Sequence, residues 1–140
     1  MFNAQRFLFF VALVVTIFTA SGTSQIAVPD PGFRIDKPAH FLIFGLIATA
    51  LLRSLSTRVS WPNWKRILVV TLVVSAIGAL DEFRQSFTPG RFPEVADWVA
   101  DTAGALLAVL VYTYWPLYRR TLEWRPFAKK RAPAGEPSDS

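Results

Sequence analysis

The stretch DEFRQSFTPGRFPEVADWVADTAG, Asp81 to Gly104, places five carboxylates between two apolar runs in a chain of 140 residues that is 52% apolar. Ionisable groups within a membrane span cost at least about 2.5 kcal/mol each on insertion scales, so they usually face a bundle interior or a water-filled cavity and mark a site. The reading of this stretch separates a simple membrane anchor from a membrane protein with a site.

Composition supports the membrane half of that statement. Aromatics make up 14% of the chain and the mean hydropathy is +0.34, more apolar than a soluble domain of this size usually is. The absence of cysteine excludes a disulfide framework, a thiolate metal site and a thiol nucleophile. A net charge of +5 raises the possibility of nucleic acid, but the basic residues flank apolar segments, which suits a membrane surface and not a nucleic-acid face.

Four apolar segments are expected to be helices, at about 7–20, 38–52, 67–87 and 97–115. The first, FLFFVALVVTIFTA, is expected to be a retained helix. With Arg6 before it and small residues after it, the second reading is a signal peptide. Pro38 suits the first turn of the second helix, with Asp36 placed to cap it. From Ile67 to Phe87 the third helix has 21 residues, about 31 Å at 1.5 Å per residue, which matches the hydrocarbon thickness. Ala100, Gly104 and Ala108 recur every four residues in the fourth, the spacing that lets helix backbones approach in lipid. The expected fold is therefore all-α, a small transmembrane bundle of about four helices over residues 1–118. Residues 119–140 are read as a basic juxtamembrane segment running into a disordered tail.

Lysine and arginine set the expected orientation. Four spans put the amino terminus, the middle loop and the tail on one side, with eleven basic residues from Arg6 to Arg131, against Arg34, Lys37, Arg84 and Arg91 on the other. By the positive-inside rule both termini are cytoplasmic, in the plasma (inner) membrane, and the acidic stretch faces outward.

Spacing then gathers the polar residues. Asp36 and His40, Asp81 and Gln85, and Asp97 and Asp101 are each four apart and share a helix face. Gly104 and Ala108 continue the stripe of Asp97 and Asp101, so the close-packing face is also the carboxylate face. A polar cleft is expected at the outer end, in place of charges scattered at the headgroups.

The residues DKPAHFLIFGLIA (Asp36–Ala48) and DEFRQSFTPGRFPEVADWVADTAGA (Asp81–Ala105) resemble those of the VanZ-like membrane proteins. That family's pattern is matched at Asp36, Lys37, His40 and Phe41, then at Asp81, Glu82, Gln85, Pro89, Gly90, Arg91, Asp97 and Gly104. Asp101 departs from it, standing where asparagine is usual. The resemblance implies a multi-pass cell-envelope protein, similar to one linked with reduced sensitivity to the glycopeptide teicoplanin.

The candidate ligand-binding residues are Asp36, Lys37, His40, Asp81, Glu82, Gln85, Arg91, Asp97 and Asp101. The ligand expected is the head group of an envelope lipid or lipid-linked wall precursor. For catalysis the candidates are His40, Glu82 and Asp97, as in a hydrolase of a lipid phosphate or ester, with His40 as general base or metal ligand and Asp36, Glu82, Asp97 and Asp101 as oxygen donors to a divalent cation. No strong metal-ligand spacing and no cofactor motif is present. Open readings remain for several of these residues: His40 as a hydrogen-bonded latch between helices, Lys37 and Arg91 as ion-pair partners of nearby acids, and the whole as a structural subunit. Asp101 has two readings, a protonated donor replacing the asparagine amide or an ionised cation ligand.

Overall fold

A computed structural model describes residues 4–21, 36–55, 60–89 and 93–123, most of them helical, with no strand among them. Five helices follow one another: α1 (Ala4–Ser21), α2 (Asp36–Leu55), α3 (Asn63–Gln85), α4 (Val95–Tyr114) and α5 (Pro116–Glu123). Three of these, α1, α2 and α4, are long and apolar enough to cross a membrane. The fourth long helix, α3, packs among them and carries Asp81, Glu82 and Arg84 in its last turn.

Helix ends follow local chemistry more closely than apolarity. Pro62 is the N-cap of α3, so that helix starts a turn earlier than its apolar run, with Trp64, Lys65 and Arg66 in its first turn. It also stops two residues before the expected Phe87. There the Ser86 hydroxyl donates to Phe83 O at 2.6 Å, and the amides of Phe87 and Thr88 donate to the carbonyls of Arg84 and Gln85, tightening the end into turns. Pro116 has no N–H to continue α4 but suits the first turn of a new helix. The chain therefore breaks at Trp115 (φ −104°, ψ 98°) and resumes as α5. Residues 119–123, assigned from the sequence to the tail, are the end of that helix; residues 124–140 lie outside the described residues.

The helices alternate in direction around one core. Phe44, Ile47, Ala48 and Leu51 of α2 meet Val70 and Val74 of α3, Ala105 and Val109 of α4, and Ile17 of α1. Leu42, Leu46, Leu68, Leu72, Leu80, Phe83 and Leu107 point outward and are exposed. Large apolar side chains outside with charged ones inside is the arrangement a hydrocarbon solvent favours and water does not.

The tightest crossing joins α2 to α4. A Cβ added at Gly104 would collide with the Phe41 carbonyl, and one at Gly45 would lie 3.2 Å from Gly104 O and 3.4 Å from Ala108 Cβ. The small-residue stripe read from the sequence is thus the place where backbones touch, as expected for helix association in lipid.

At the end where α2 stops and α4 breaks, Glu123 joins four helices. Arg6 of α1 donates to its Oε2, Arg53 Nε of α2 donates to Oε1 at 2.8 Å, and Tyr112 of α4 donates to Oε1 at 3.0 Å. Arg53 also donates to Leu122 O at 2.8 Å. The helix α5 is therefore tied back onto the bundle.

Candidate functional site

The opposite end of the bundle holds the polar residues. Antiparallel packing brings the start of α2, the end of α3 and the start of α4 to one level, and Ser21 at the end of α1 joins them. Asp81, Glu82, Gln85, Asp97, Asp101 and His40 are all buried there. This placement answers the question raised by the acidic stretch: four of its five carboxylates are buried in the interior, and Glu94 is half-exposed at the edge.

Two sub-clusters share that level. In the first, Asp81 Oδ1 accepts from Arg84 Nη2 at 2.9 Å and Oδ2 accepts from Gln85 Nε2 at 2.9 Å. Ser21 Oγ lies 2.7 Å from Asp81 Oδ1 and 2.7 Å from Ile17 O; its single proton serves one of the two. Arg84 Nη2 donates to the same Ser21 Oγ at 2.6 Å, and its guanidinium sits over the Phe18 ring at 5.4 Å. Ser21 and Arg84 were not singled out from the sequence. Arg84 stood there only as an outward cation; its pair with Asp81 lies within α3, while its contact with Ser21 depends on α1 arriving beside α3.

In the second, Lys37 Nζ donates to Glu94 Oε2 at 2.6 Å and to Asp97 Oδ1 at 3.0 Å. The Glu94 amide donates to Glu82 Oε2 at 2.9 Å, fixing that carboxylate against the start of α4. His40 Nδ1 lies 3.0 Å from Asp101 Oδ1, and the Phe44 ring stacks on the imidazole with centroids 6.0 Å apart. Lys37 is thus paired with two acids at the start of α4, and His40 makes a hydrogen bond from α2 to α4. Glu94 was missed as a partner, since a residue just before a helix gives no periodic signal.

Gly78 explains how α3 accommodates Asp101. A Cβ at that position would stand 2.7 Å from Asp101 Oδ2 and 3.1 Å from Asp101 Cβ. Asp101 is fully buried, and its Oδ2 has no hydrogen-bond partner.

The start of α2 includes Asp36, but its side chain lies outside the described residues, as does Arg91 with the Gly90 part of the turn. Seven of the nine sequence-derived ligand candidates, Lys37, His40, Asp81, Glu82, Gln85, Asp97 and Asp101, are brought together at one end of the bundle.

Three of them also converge closely enough to be candidates for holding a metal: His40, Glu82 and Asp97 each offer a ligand atom, and these atoms lie within 4.8 Å of one another. Spacing in the sequence could not reveal this, because each residue comes from a different helix.

Two hollows flank the polar end. One, about 270 Å³, is lined by Ala79, Glu82, Pro93, Glu94, Val95 and Trp98 between α3 and α4. The other is an apolar groove of about 380 Å³ along α2 and α4, lined by Phe41, Gly45, Leu46, Gly104, Leu107 and Val111 among others.

A family model described as VanZ/LLP1 matches residues 2–117. The chain belongs to the VanZ/LLP1 family. The match spans α1 to α4, so it covers the polar end as well as the apolar scaffold. With the apolar helices, membership makes this a VanZ-like membrane protein, as the two quoted motifs implied. No curated protein and no solved structure gives a significant match.

Proposed function

We propose that this VanZ-like protein holds the head group of an envelope lipid or lipid-linked wall precursor at its buried polar end, reached sideways from the membrane. The observation that carries the reading is the hollow between α3 and α4. Glu82 and Glu94 stand among its lining, while Ala79, Val95 and Trp98 give it apolar walls. An amphipathic ligand needs that pairing of polar and apolar surface. The α2–α4 groove offers a second apolar track, its Phe41 and Gly104 adjoining His40 and Asp101 in the helices.

Placement in the plasma membrane with both termini cytoplasmic, and with this end outward, is supported by the distribution of lysine and arginine. Four spans including α3, within a domain over 1–118, are the arrangement consistent with that orientation. A protein holding a wall precursor on the outer face would alter a glycopeptide's access to it, which is how teicoplanin sensitivity would be connected.

The His40–Asp101 pair favours a second reading, a membrane hydrolase. A carboxylate that orients one ring nitrogen leaves the other to take a proton from water. Purified protein in nanodiscs, assayed with labelled envelope lipids and a labelled lipid-linked wall precursor, distinguishes them. Retention without product is expected; product formation supports the hydrolase, and neither result leaves a structural subunit.

A further inference from the structure

We propose that His40, Glu82 and Asp97 bind a divalent transition-metal cation of the Zn²⁺ or Mn²⁺ class, with Asp101 orienting His40 from behind. This goes beyond lipid recognition and holds whether or not a lipid binds.

The first support is electrostatic. Among the described residues the polar end buries Asp81, Glu82, Asp97 and Asp101, with Glu94 half-exposed beside them, against Lys37 and Arg84. Arg84 is committed to Asp81 and Ser21, and Lys37 bridges Glu94 and Asp97. Glu82 receives hydrogen bonds only from neutral donors, the Glu94 amide and, at 3.4 Å, Gln85 Nε2. Buried carboxylates in that excess require a cation or protons to offset them.

The second support is the set of unused lone pairs. His40 is 8% exposed, and its only hydrogen bond is the one through Nδ1 to Asp101. Nε2 is therefore without a hydrogen-bond partner among the described residues. Asp97, also 8% exposed, uses Oδ1 for Lys37 and leaves Oδ2 without one.

His40 and Asp97 form, with Glu82, the trio in which one ligand atom from each residue falls within 4.8 Å of the others. A cation about 2.0 to 2.2 Å from each of three ligands needs them within about 4.4 Å of one another, so side chains within 4.8 Å would draw in by at most roughly 0.4 Å around the ion. One imidazole with two carboxylates suits Zn²⁺ or Mn²⁺ better than Ca²⁺ or Mg²⁺, which favour oxygen-only sets.

Asp101 completes the arrangement. A metal-ligating histidine almost always donates its second ring N–H to a carboxylate or carbonyl, which fixes the tautomer that presents the other nitrogen. The contact between His40 Nδ1 and Asp101 Oδ1 at 3.0 Å has that form, and Phe44 stacked on the ring holds its plane. A bound cation would also give this acidic end a means of holding an anionic head group.

The test uses the full chain in chelator-washed nanodiscs of zwitterionic lipid, titrated with Zn²⁺, Mn²⁺ and Mg²⁺ by calorimetry, together with pulsed EPR of the Mn²⁺-loaded protein. One ion per chain is expected, Zn²⁺ bound more tightly than Mn²⁺ and Mn²⁺ more tightly than Mg²⁺, with nitrogen hyperfine coupling from an imidazole. His40→Gln should abolish that coupling, Glu82→Gln and Asp97→Asn should abolish tight binding, and Asp101→Ala should weaken it about 10-fold or more. Glu123→Gln, at the opposite end, should bind as wild type does. The proposal is overturned by absence of binding, by equal binding to wild type and His40→Gln, or by a Mn²⁺ spectrum of wild type without nitrogen coupling. The last reading needs no variant, so a misfolded His40→Gln cannot rescue the idea.

Discussion

His40 on α2 and Asp101 on α4 meet through Nδ1 and Oδ1 at 3.0 Å, in the interior of a bundle whose surface is leucine and phenylalanine. Both residues were candidates from the sequence, but on separate helix faces; their pairing depends on the close α2–α4 crossing at Gly104. Of the two readings of Asp101, neither a direct cation ligand nor a mere stand-in for an amide describes its position fully. It is a partner to the histidine.

Asp101→Asn is accordingly expected to leave stability nearly unchanged, because an amide oxygen also accepts from Nδ1–H. Asp101→Ala strips a buried donor of its partner and should cost about 1 to 3 kcal/mol. Thermal unfolding in detergent measures both. An alanine variant as stable as wild type would show that the pair does not hold the helices together.

The crossing itself makes the second prediction. Gly104→Ala puts a methyl group into the Phe41 carbonyl, so α2 and α4 must separate, at a cost of about 1 to 3 kcal/mol. Gly45→Ala meets its nearest atom, Gly104 O, at 3.2 Å and should cost less. Equal effects of the two changes on the unfolding midpoint would contradict the asymmetry of the contact.

Much of this architecture was legible beforehand, and the reasons differ by element. The apolar runs gave the four long helices, since length and hydropathy are properties of one segment. Spacing of four gave the Asp97–Asp101–Gly104 face, because a helix repeats nearly every four residues. The start of α3 was hidden by its charged first turn, and α5 by the basic residues around it. Ser21, Glu94 and Gly78 escaped notice for one reason: each matters only through a partner more than ten residues away.

Glu123 provides a pH dependence outside the spans. Burial pushes its carboxyl up, but hydrogen bonds from Arg53 and Tyr112 and the charges of Arg53 and Arg6 outweigh that and hold it below the ordinary 4.5. A carboxyl lowered by folding stabilises the fold above its unfolded value, and that contribution is lost as pH falls through the folded one. Wild type should therefore lose stability on acidification below about pH 4.5. Glu123→Gln should be less stable at neutral pH, by on the order of 1 kcal/mol for a partly exposed network, and the two curves should converge in acid. Parallel curves at all pH values would remove Glu123 from the account.

Orientation is tested independently of chemistry. A reporter active only in the cytoplasm should work when fused after Arg58 or Lys130 and fail when inserted after Gly32 or at Gly90. The reverse pattern would turn the polar end inward and remove a wall precursor from consideration.

The last prediction concerns the attachment of α1. Ser21 is 2.7 Å from Asp81, and Arg84 reaches both residues, with Nε 3.3 Å and Nη2 2.9 Å from Asp81 Oδ1. Lysine at position 84 keeps the charge but has one nitrogen where arginine uses a planar fork, so it cannot reproduce both contacts with Asp81 and the one with Ser21. Arg84→Lys should consequently loosen α1 without unfolding α2–α4, whose core lies mainly among Phe44, Val74 and Val109. Hydrogen exchange should accelerate in the last turns of α1, and Ser21→Ala, which removes the oxygen shared by the two residues, should do the same to a smaller degree. If exchange accelerates throughout the bundle, the Asp81 cluster supports the whole fold; if it is unchanged everywhere, α1 is held by Ile17 and its apolar neighbours alone.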